Sequence, residues 1–188
     1  MKNLFLLLLT LLTTTVFGQL VTTNPDTVCY QTQALSQYQV TSVGAGTYTW
    51  TVPVCATITS GQGTNQIQVN WSNCPPGLIN NAISVVYTSQ AGCPSNPVNL
   101  NVLIYQVIPT ITAIGPFCVT DPCVPLVGLP AGGTWTGNGV VNGQFCPGQA
   151  GPGAATITYT YTNSGCSFTA TTNTGVSPQP TLTPIQHN

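Results

Sequence analysis

The chain has 188 residues, of which one is Lys or Arg and two are Asp or Glu, so that 2% of it is charged where soluble domains usually carry about a quarter. With no cation beyond Lys2, it has nothing to displace counterions from phosphates, which excludes nucleic acid and anionic membrane surfaces as partners. Two distant acids, Asp26 and Asp121, and a single histidine, His187, likewise exclude paired-carboxylate hydrolysis, histidine-assisted nucleophiles and calcium loops, so no enzyme, cofactor or metal site is expected.

Each of the three groups has a plain structural role. Asp26 and Asp121 both stand beside a proline and read as turn residues. His187 reads as a solvated tail residue. A surface this neutral presents little repulsion to its own copies, so the mature chain is expected either to associate or to be coated with something hydrophilic.

In chain order, Met1-Lys2-Asn3, the Leu-rich run Leu4 to Leu12 and the stretch ending Val16-Phe17-Gly18 form a secretory signal peptide, with cleavage expected after Gly18. The run is too short to span a bilayer well, and no later stretch is longer, so no membrane insertion of the mature chain is expected. No cysteine stands directly after the cleavage site, which argues against a lipoprotein anchor.

Downstream, apolar residues alternate with polar ones, β-branched and aromatic residues abound, and Gly, Pro and Asn interrupt at short intervals. No helical pattern is visible. Thr49-Trp50-Thr51, Ile67-Gln68-Val69-Asn70-Trp71, Ala82 to Thr88, Thr134-Trp135-Thr136 and Thr156 to Thr162 read as strands. Asn138-Gly139 and Asn142-Gly143 are hairpin signals. This is the pattern of small antiparallel β-sandwiches.

An internal repeat divides the chain. The strand Ala82 to Thr88 leads to Ala91-Gly92-Cys93, and the strand Thr156 to Thr162 leads to Ser164-Gly165-Cys166. The repeat predicts two sandwiches, residues 19–107 and 108–178, joined near Val107-Ile108-Pro109. Pro109-Thr110-Ile111-Thr112-Ala113-Ile114 opens the second, and Pro180-Thr181-Leu182-Thr183-Pro184-Ile185 repeats it as an opening strand with no domain following. Residues 179–188 are therefore either a tail or a donor-like strand, with Thr181, Leu182, Thr183 and Ile185 as candidate assembly residues.

Eight cysteines in an exported chain imply disulfides: Cys29, Cys55, Cys74, Cys93, Cys118, Cys123, Cys146 and Cys166, four in each half. Eight cysteines allow 105 pairings.

Tyr48-Thr49-Trp50-Thr51-Val52-Pro53, followed by Ala56 to Gly63 and Thr64 to Trp71, resembles the PKD-like modules of large surface proteins of gliding bacteria. The resemblance covers most of residues 27–104. Gly115-Pro116-Phe117-Cys118, Ala131 to Val140 and Ile157 to Tyr161 resemble another Ig-like repeat of the same kind of protein. It implies tandem Ig-like sandwiches acting as spacers, adhesin stalks or glycan binders on a bacterial surface. In such proteins the first-strand cysteine and the late Gly-Cys cysteine look like the usual pair. The resemblance thus implies nested bridges, Cys29–Cys93 around Cys55–Cys74 and Cys118–Cys166 around Cys123–Cys146. It also implies that Trp50 packs in the core against the outer bridge. Trp71 is assigned to the core as well, while Trp135, before a Gly-rich loop, is a weaker core assignment. Asp26-Thr27-Val28 resembles a short O-glycosylation sequon of this bacterial group, which makes Thr27 a candidate.

Two functions fit. The first is a non-enzymatic, secreted or cell-surface structural module that associates with itself, or with other surface proteins, in a fibre, surface layer or adhesin complex. The second is a glycan- or ice-binding module. Thr156, Thr158, Thr160 and Thr162 share one strand face, as do Thr47, Thr49 and Thr51, and aromatic rings can stack on sugars.

Overall fold

A computed structural model describes residues 24–33, 35–185 and 187. The expected signal peptide, residues 1–18, lies outside the described residues. No helix among them is long and apolar enough to cross a membrane.

The first sandwich contains β1 (Asp26–Cys29), β2 (Leu35–Gln39), β3 (Gly46–Thr51), β4 (Thr57–Ser60), β5 (Gln66–Asn70), β6 (Gly77–Ser89) and β7 (Val98–Tyr105). One sheet has the order β1-β7-β6-β3 and the other β2-β5-β4. Alternation sets which side chains face inward. In β3 it buries Tyr48 and Trp50, and in β5 it buries Ile67 and Val69. These meet Tyr38, Trp71, Ile83, Val85, Val102 and Ile104 from the neighbouring strands to form one core. Removing each large side chain from water contributes about 1.5–3 kcal/mol, which a surface without ion-pair networks does not supplement.

The second sandwich contains β8 (Thr110–Ile111), β9 (Phe117–Cys118), β10 (Val124–Pro125), β11 (Gly128–Leu129), β12 (Thr134–Gly137), β13 (Val140–Val141), β14 (Gln144–Phe145), α1 (Pro147–Ala150), β15 (Gly153–Asn163) and β16 (Cys166–Ser177). Its main sheet has the order β12-β15-β16-β9, the same arrangement as β3-β6-β7-β1. Phe145, Ile157 and Val176 form its core, with Trp135 and Phe117 half-buried against them. Tyr159 is buried under the Trp135 ring, 4.4 Å away between centroids. The one-turn α1 is a short departure from the all-β pattern, started by Pro147 and ended at Gly151.

The first strand of each main sheet in chain order, β1 and β9, is that sheet's opening strand and runs parallel to its last: Asp26 to Cys29 lie opposite Val102 to Tyr105, and Phe117-Cys118 lie opposite Val176-Ser177. This corrects the expected outer bridges. Cys118 sits at the end of β16 opposite to Cys166. That strand has 12 residues, so at about 3.3 Å per residue the two are separated by roughly 36 Å. Cys29 is likewise separated from the Cys93 turn by the 8 residues of β7, about 26 Å. A disulfide needs Cα atoms within about 7 Å. Neither Cys29–Cys93 nor Cys118–Cys166 forms. Cys29 instead bonds Cys166 of the other sandwich, with Cα atoms 5.4 Å apart. Cys93 and Cys118 are free and exposed. The other two bridges, Cys55–Cys74 and Cys123–Cys146, join the cysteines that the nested scheme joins.

Three smaller expectations also change. Trp50 is buried, but with no outer bridge in its own sandwich to pack on; its Nε1 donates to the Thr64 carbonyl at 2.8 Å. Asp26 begins β1 rather than a turn, and its Oδ2 accepts the Tyr38 hydroxyl at 2.8 Å. Asn138-Gly139 carries the chain from β12 in the main sheet to β13 in the sheet β10-β14-β13, so it is a crossover and not a hairpin. Asn142-Gly143, with φ of 48° and 76°, does close the β13–β14 hairpin.

Candidate functional site: the module junction and the threonine sheet

The junction is built from one end of each sandwich. The parallel pairing of β1 carries Cys29 to the end of β7, where the Tyr30 N–H adds one further bond to the Tyr105 carbonyl at 2.9 Å. On the other side, β15 turns into β16 through Ser164 and Gly165, with φ of 51° and 77°. This left-handed pair makes the turn tight enough for Cys166 to open the returning strand. The two cysteines are both buried where they bond. Around them, the Asn163 side-chain amide donates to the Tyr105 hydroxyl at 2.9 Å, and the Tyr105 and Phe168 rings meet edge to face with centroids 5.9 Å apart. Tyr30, Gln31, Ile108, Pro109 and Phe168 line a cleft of about 280 Å³ beside the bond. It holds no charged group. The segment 106–109 that joins β7 to β8 carries no strand.

The two free thiols stand on fixed backbone. Cys93 accepts the Ser89 N–H at 3.0 Å through its carbonyl and donates its own N–H to the Ser89 hydroxyl at 3.2 Å. Cys118 donates its N–H to Asp121 Oδ2 at 2.7 Å, and the Asp121 N–H returns to the Cys118 carbonyl at 3.0 Å. Asp121 is the turn residue it was expected to be, and it holds the thiol-bearing end of β9.

The second candidate is the outer face of β12-β15-β16. Register places Thr134, Thr160 and Thr169 side by side, then Thr136, Thr158 and Thr171 in the next rank. Thr156 lies opposite Asn173 and Thr162 opposite Ser167, and each pair is hydrogen-bonded, at 2.7 and 2.8 Å. Neighbouring backbone positions on that face are thus spaced about 4.8 Å across strands and about 6.7 Å along them. Single-strand reading found one rank direction; the cross-strand partners needed the register. The corresponding face of the first sandwich is less regular, since Thr47, Thr49 and Thr51 lie opposite Thr88, Val86 and Ser84. A separate cleft of about 410 Å³ is lined mostly by amides and hydroxyls, among them Gln37, Thr64, Asn65, Gln66 and Gln68, together with Ile67.

The remaining expected residues are scattered. Thr27 is half-buried in β1, opposite Leu103. Thr181, Leu182, Thr183 and Ile185 are exposed and carry no strand pairing, with Leu182 at 94% and Ile185 at 102% of full exposure. Among the described residues no three of His, Cys, Asp and Glu are grouped as metal ligands. One ionisable group is strongly perturbed: burial, then the charge of Asp26, pushes the Tyr38 phenol far above its ordinary value.

Residues 18–102 match the PKD-like domain family. No curated protein matches the sequence. Among solved structures, the chain is similar to Drosophila OTK extracellular domains 3–5, with 13% identity over 83% of this chain and 59% of that one, at a TM-score of 0.38. It is also similar to a chimeric titin Z1Z2 (10% identity, 84% of this chain and 93% of that one, TM-score 0.34) and to Sidekick-1 immunoglobulin domains 1–5 (10%, 81% and 37%, TM-score 0.36). The chain thus spans 59% of the OTK fragment and 37% of the Sidekick-1 fragment. Residues 18–102 thus form a module similar to PKD-like domains. Its three disulfides suit an oxidising compartment.

Proposed function

We propose that the mature chain is a secreted, non-enzymatic building block that associates with copies of itself at a bacterial cell surface, as part of a fibre, surface layer or adhesin complex. One observation carries this reading. Residues 180–185 have the sequence character of the segment that opens the second sandwich, where Thr110-Ile111 pairs with Gly128-Leu129. In 180–185 the same pattern lies exposed and unpaired, with Leu182 and Ile185 in solvent. An unpaired apolar strand segment is a template for pairing with another chain. The neutral surface removes the electrostatic barrier to that contact.

The test is particle size. Mature protein (residues 19–188) should elute as a concentration-dependent series of oligomers in light-scattering chromatography and show elongated particles by electron microscopy. Deletion of residues 179–188 should shift the series toward monomer. A monodisperse monomer at about 100 μM for the intact mature chain would overturn the reading.

A second reading rests on the threonine ranks of β12-β15-β16, which offer an uncharged, hydrogen-bonding face to a glycan or to ice. A glycan array and a thermal-hysteresis measurement test it, and a null result in both removes it.

A further inference from the structure

The two main sheets have the same strand order, with β1, β7, β6 and β3 corresponding to β9, β16, β15 and β12. Each sandwich therefore has two kinds of junction cysteine. One stands at the end of the opening strand, opposite the last residue of the final strand: Cys29 opposite Tyr105, and Cys118 opposite Ser177. The other follows the Gly of the preceding hairpin turn: Cys93 after Gly92, and Cys166 after Gly165. The bridge between sandwiches joins the opening-strand cysteine of the leading one to the hairpin cysteine of the following one. What remains free is one of each kind, Cys118 on the second sandwich and Cys93 on the first, both exposed.

We propose that Cys118 of one copy bonds Cys93 of the next, repeating the Cys29–Cys166 junction between molecules and linking the chains head to tail by disulfides. This rests on the self-association reading above and specifies its link. A contact that joins unlike faces of identical molecules is heterologous and propagates as an open array unless its rotation closes a ring. One further observation agrees and one marks a difference. The chain leaving β7 beside Cys29 reads Pro109-Thr110-Ile111-Thr112 as it enters the next sandwich, and the chain leaving β16 beside Cys118 reads Pro180-Thr181-Leu182-Thr183. The internal junction also has a ring contact that the new one lacks. Phe168 stands two residues after Cys166 where Ser95 stands two after Cys93, and Ser177 stands where Tyr105 does. The intermolecular junction thus depends more heavily on its covalent bond.

The chemistry is thiol–disulfide exchange with a small-molecule disulfide as oxidant. The Cys118 thiolate attacks one sulfur of the oxidant, forming a mixed disulfide and releasing one thiolate. The Cys93 thiolate of the next copy attacks the Cys118 sulfur and releases the second. Two protein thiols lose two protons and two electrons, and one oxidant disulfide becomes two thiols.

The experiment incubates mature protein with oxidised and reduced glutathione and reads non-reducing gels and peptide masses after chymotrypsin, since residues 19–188 contain no Lys or Arg. The expected result is a ladder of multimers that a dithiol reductant collapses to monomer, with a Cys93–Cys118 peptide as the new bond. Cys93→Ser or Cys118→Ser alone stops the ladder at monomer, and an equimolar mixture of the two variants yields a dimer and nothing larger. A monomer carrying an internal Cys93–Cys118 bond, like-to-like Cys93–Cys93 or Cys118–Cys118 dimers, or no ladder at all would overturn the proposal. The Cys93→Ser/Cys118→Ser double variant separates the two readings. If it still forms the oligomers seen in chromatography while the wild type shows no ladder, self-association stands and the covalent link falls.

Discussion

Removing the Cys55–Cys74 bridge by Cys55→Ala/Cys74→Ala should destabilise the first sandwich and leave the second alone. The bridge closes a segment of sequence separation 19. On the chain-entropy model such a loop restricts the unfolded state by about 11 cal/mol/K, or about 3 kcal/mol at 25 °C. Cys74 is also buried against the core, so its truncation adds to the loss and does not offset it. For a domain of this size each kcal/mol moves the melting temperature by about 4–8 °C, so a fall of about 12–24 °C is expected. Calorimetry resolves the two sandwiches as separate transitions, and tryptophan fluorescence assigns them. Trp50 and Trp71 are buried in the first core, while Trp135 reports on the second. A fall of under about 4 °C in the Trp50 and Trp71 transition would refute the loop-closure reasoning. An equal fall in both transitions would refute the separateness of the cores.

Other perturbations address the junction, the buried tyrosine and the close approaches. Cys29→Ala/Cys166→Ala opens a loop of sequence separation 137 that runs through both sandwiches, worth about 5 kcal/mol on the same chain-entropy model, so both transitions should fall while small-angle scattering shows a larger radius of gyration; an unchanged radius would mean that the Asn163–Tyr105 and Phe168–Tyr105 contacts alone fix the junction. The raised Tyr38 phenol binds its proton in the folded state at pH values where the unfolded chain has released it. Its contribution is therefore complete below the ordinary value of about 10 and is lost above it, by about 1.4 kcal/mol per pH unit. Urea midpoints for the first sandwich should fall as pH rises beyond 10, and Tyr38→Phe should flatten that part of the slope while costing about 1–3 kcal/mol, because the Asp26 carboxylate loses its donor. A Cβ on Gly133 would stand 2.4 Å from the Tyr159 ring and 2.6 Å from the Thr160 carbonyl, so Gly133→Ala should destabilise the second sandwich by about 1–3 kcal/mol in urea unfolding.

The sandwich class was legible because period-two alternation and turn residues report local geometry directly. Tyr48 and Trp50 face inward as the Thr-Tyr-Thr-Trp-Thr pattern says, and the Asn142-Gly143 turn closes the hairpin it signals. The inner bridges came from the family resemblance and not from local geometry: Cys55–Cys74 and Cys123–Cys146 join the cysteines it implied, although the outer pairs they were nested in do not form. The outer pairing was not legible. It depended on the direction of β1 against β7 and of β9 against β16, and four-residue and two-residue strands carry no sequence mark of parallel or antiparallel pairing. The threonine ranks lay between these cases. Alternation placed Thr156, Thr158, Thr160 and Thr162 on one face, but their partners Thr134, Thr136, Thr169 and Thr171 followed only from register.

The parallel opening strand has a consequence for any array of such modules. A module whose two junction cysteines stand at opposite ends of its final strand cannot satisfy both internally, because the strand holds them far beyond bonding distance. Each needs a neighbour, one ahead and one behind. Two modules in one chain form one junction and leave one cysteine of each kind over, and joining further modules in series forms more junctions without changing that remainder. The remainder is self-complementary between copies, since Cys118 is the same kind of group as Cys29 and Cys93 the same kind as Cys166. An antiparallel opening strand would instead carry its terminal cysteine toward the hairpin turn of its own sandwich. The direction of two short strands thus decides whether these cysteines staple a module or link one module to the next.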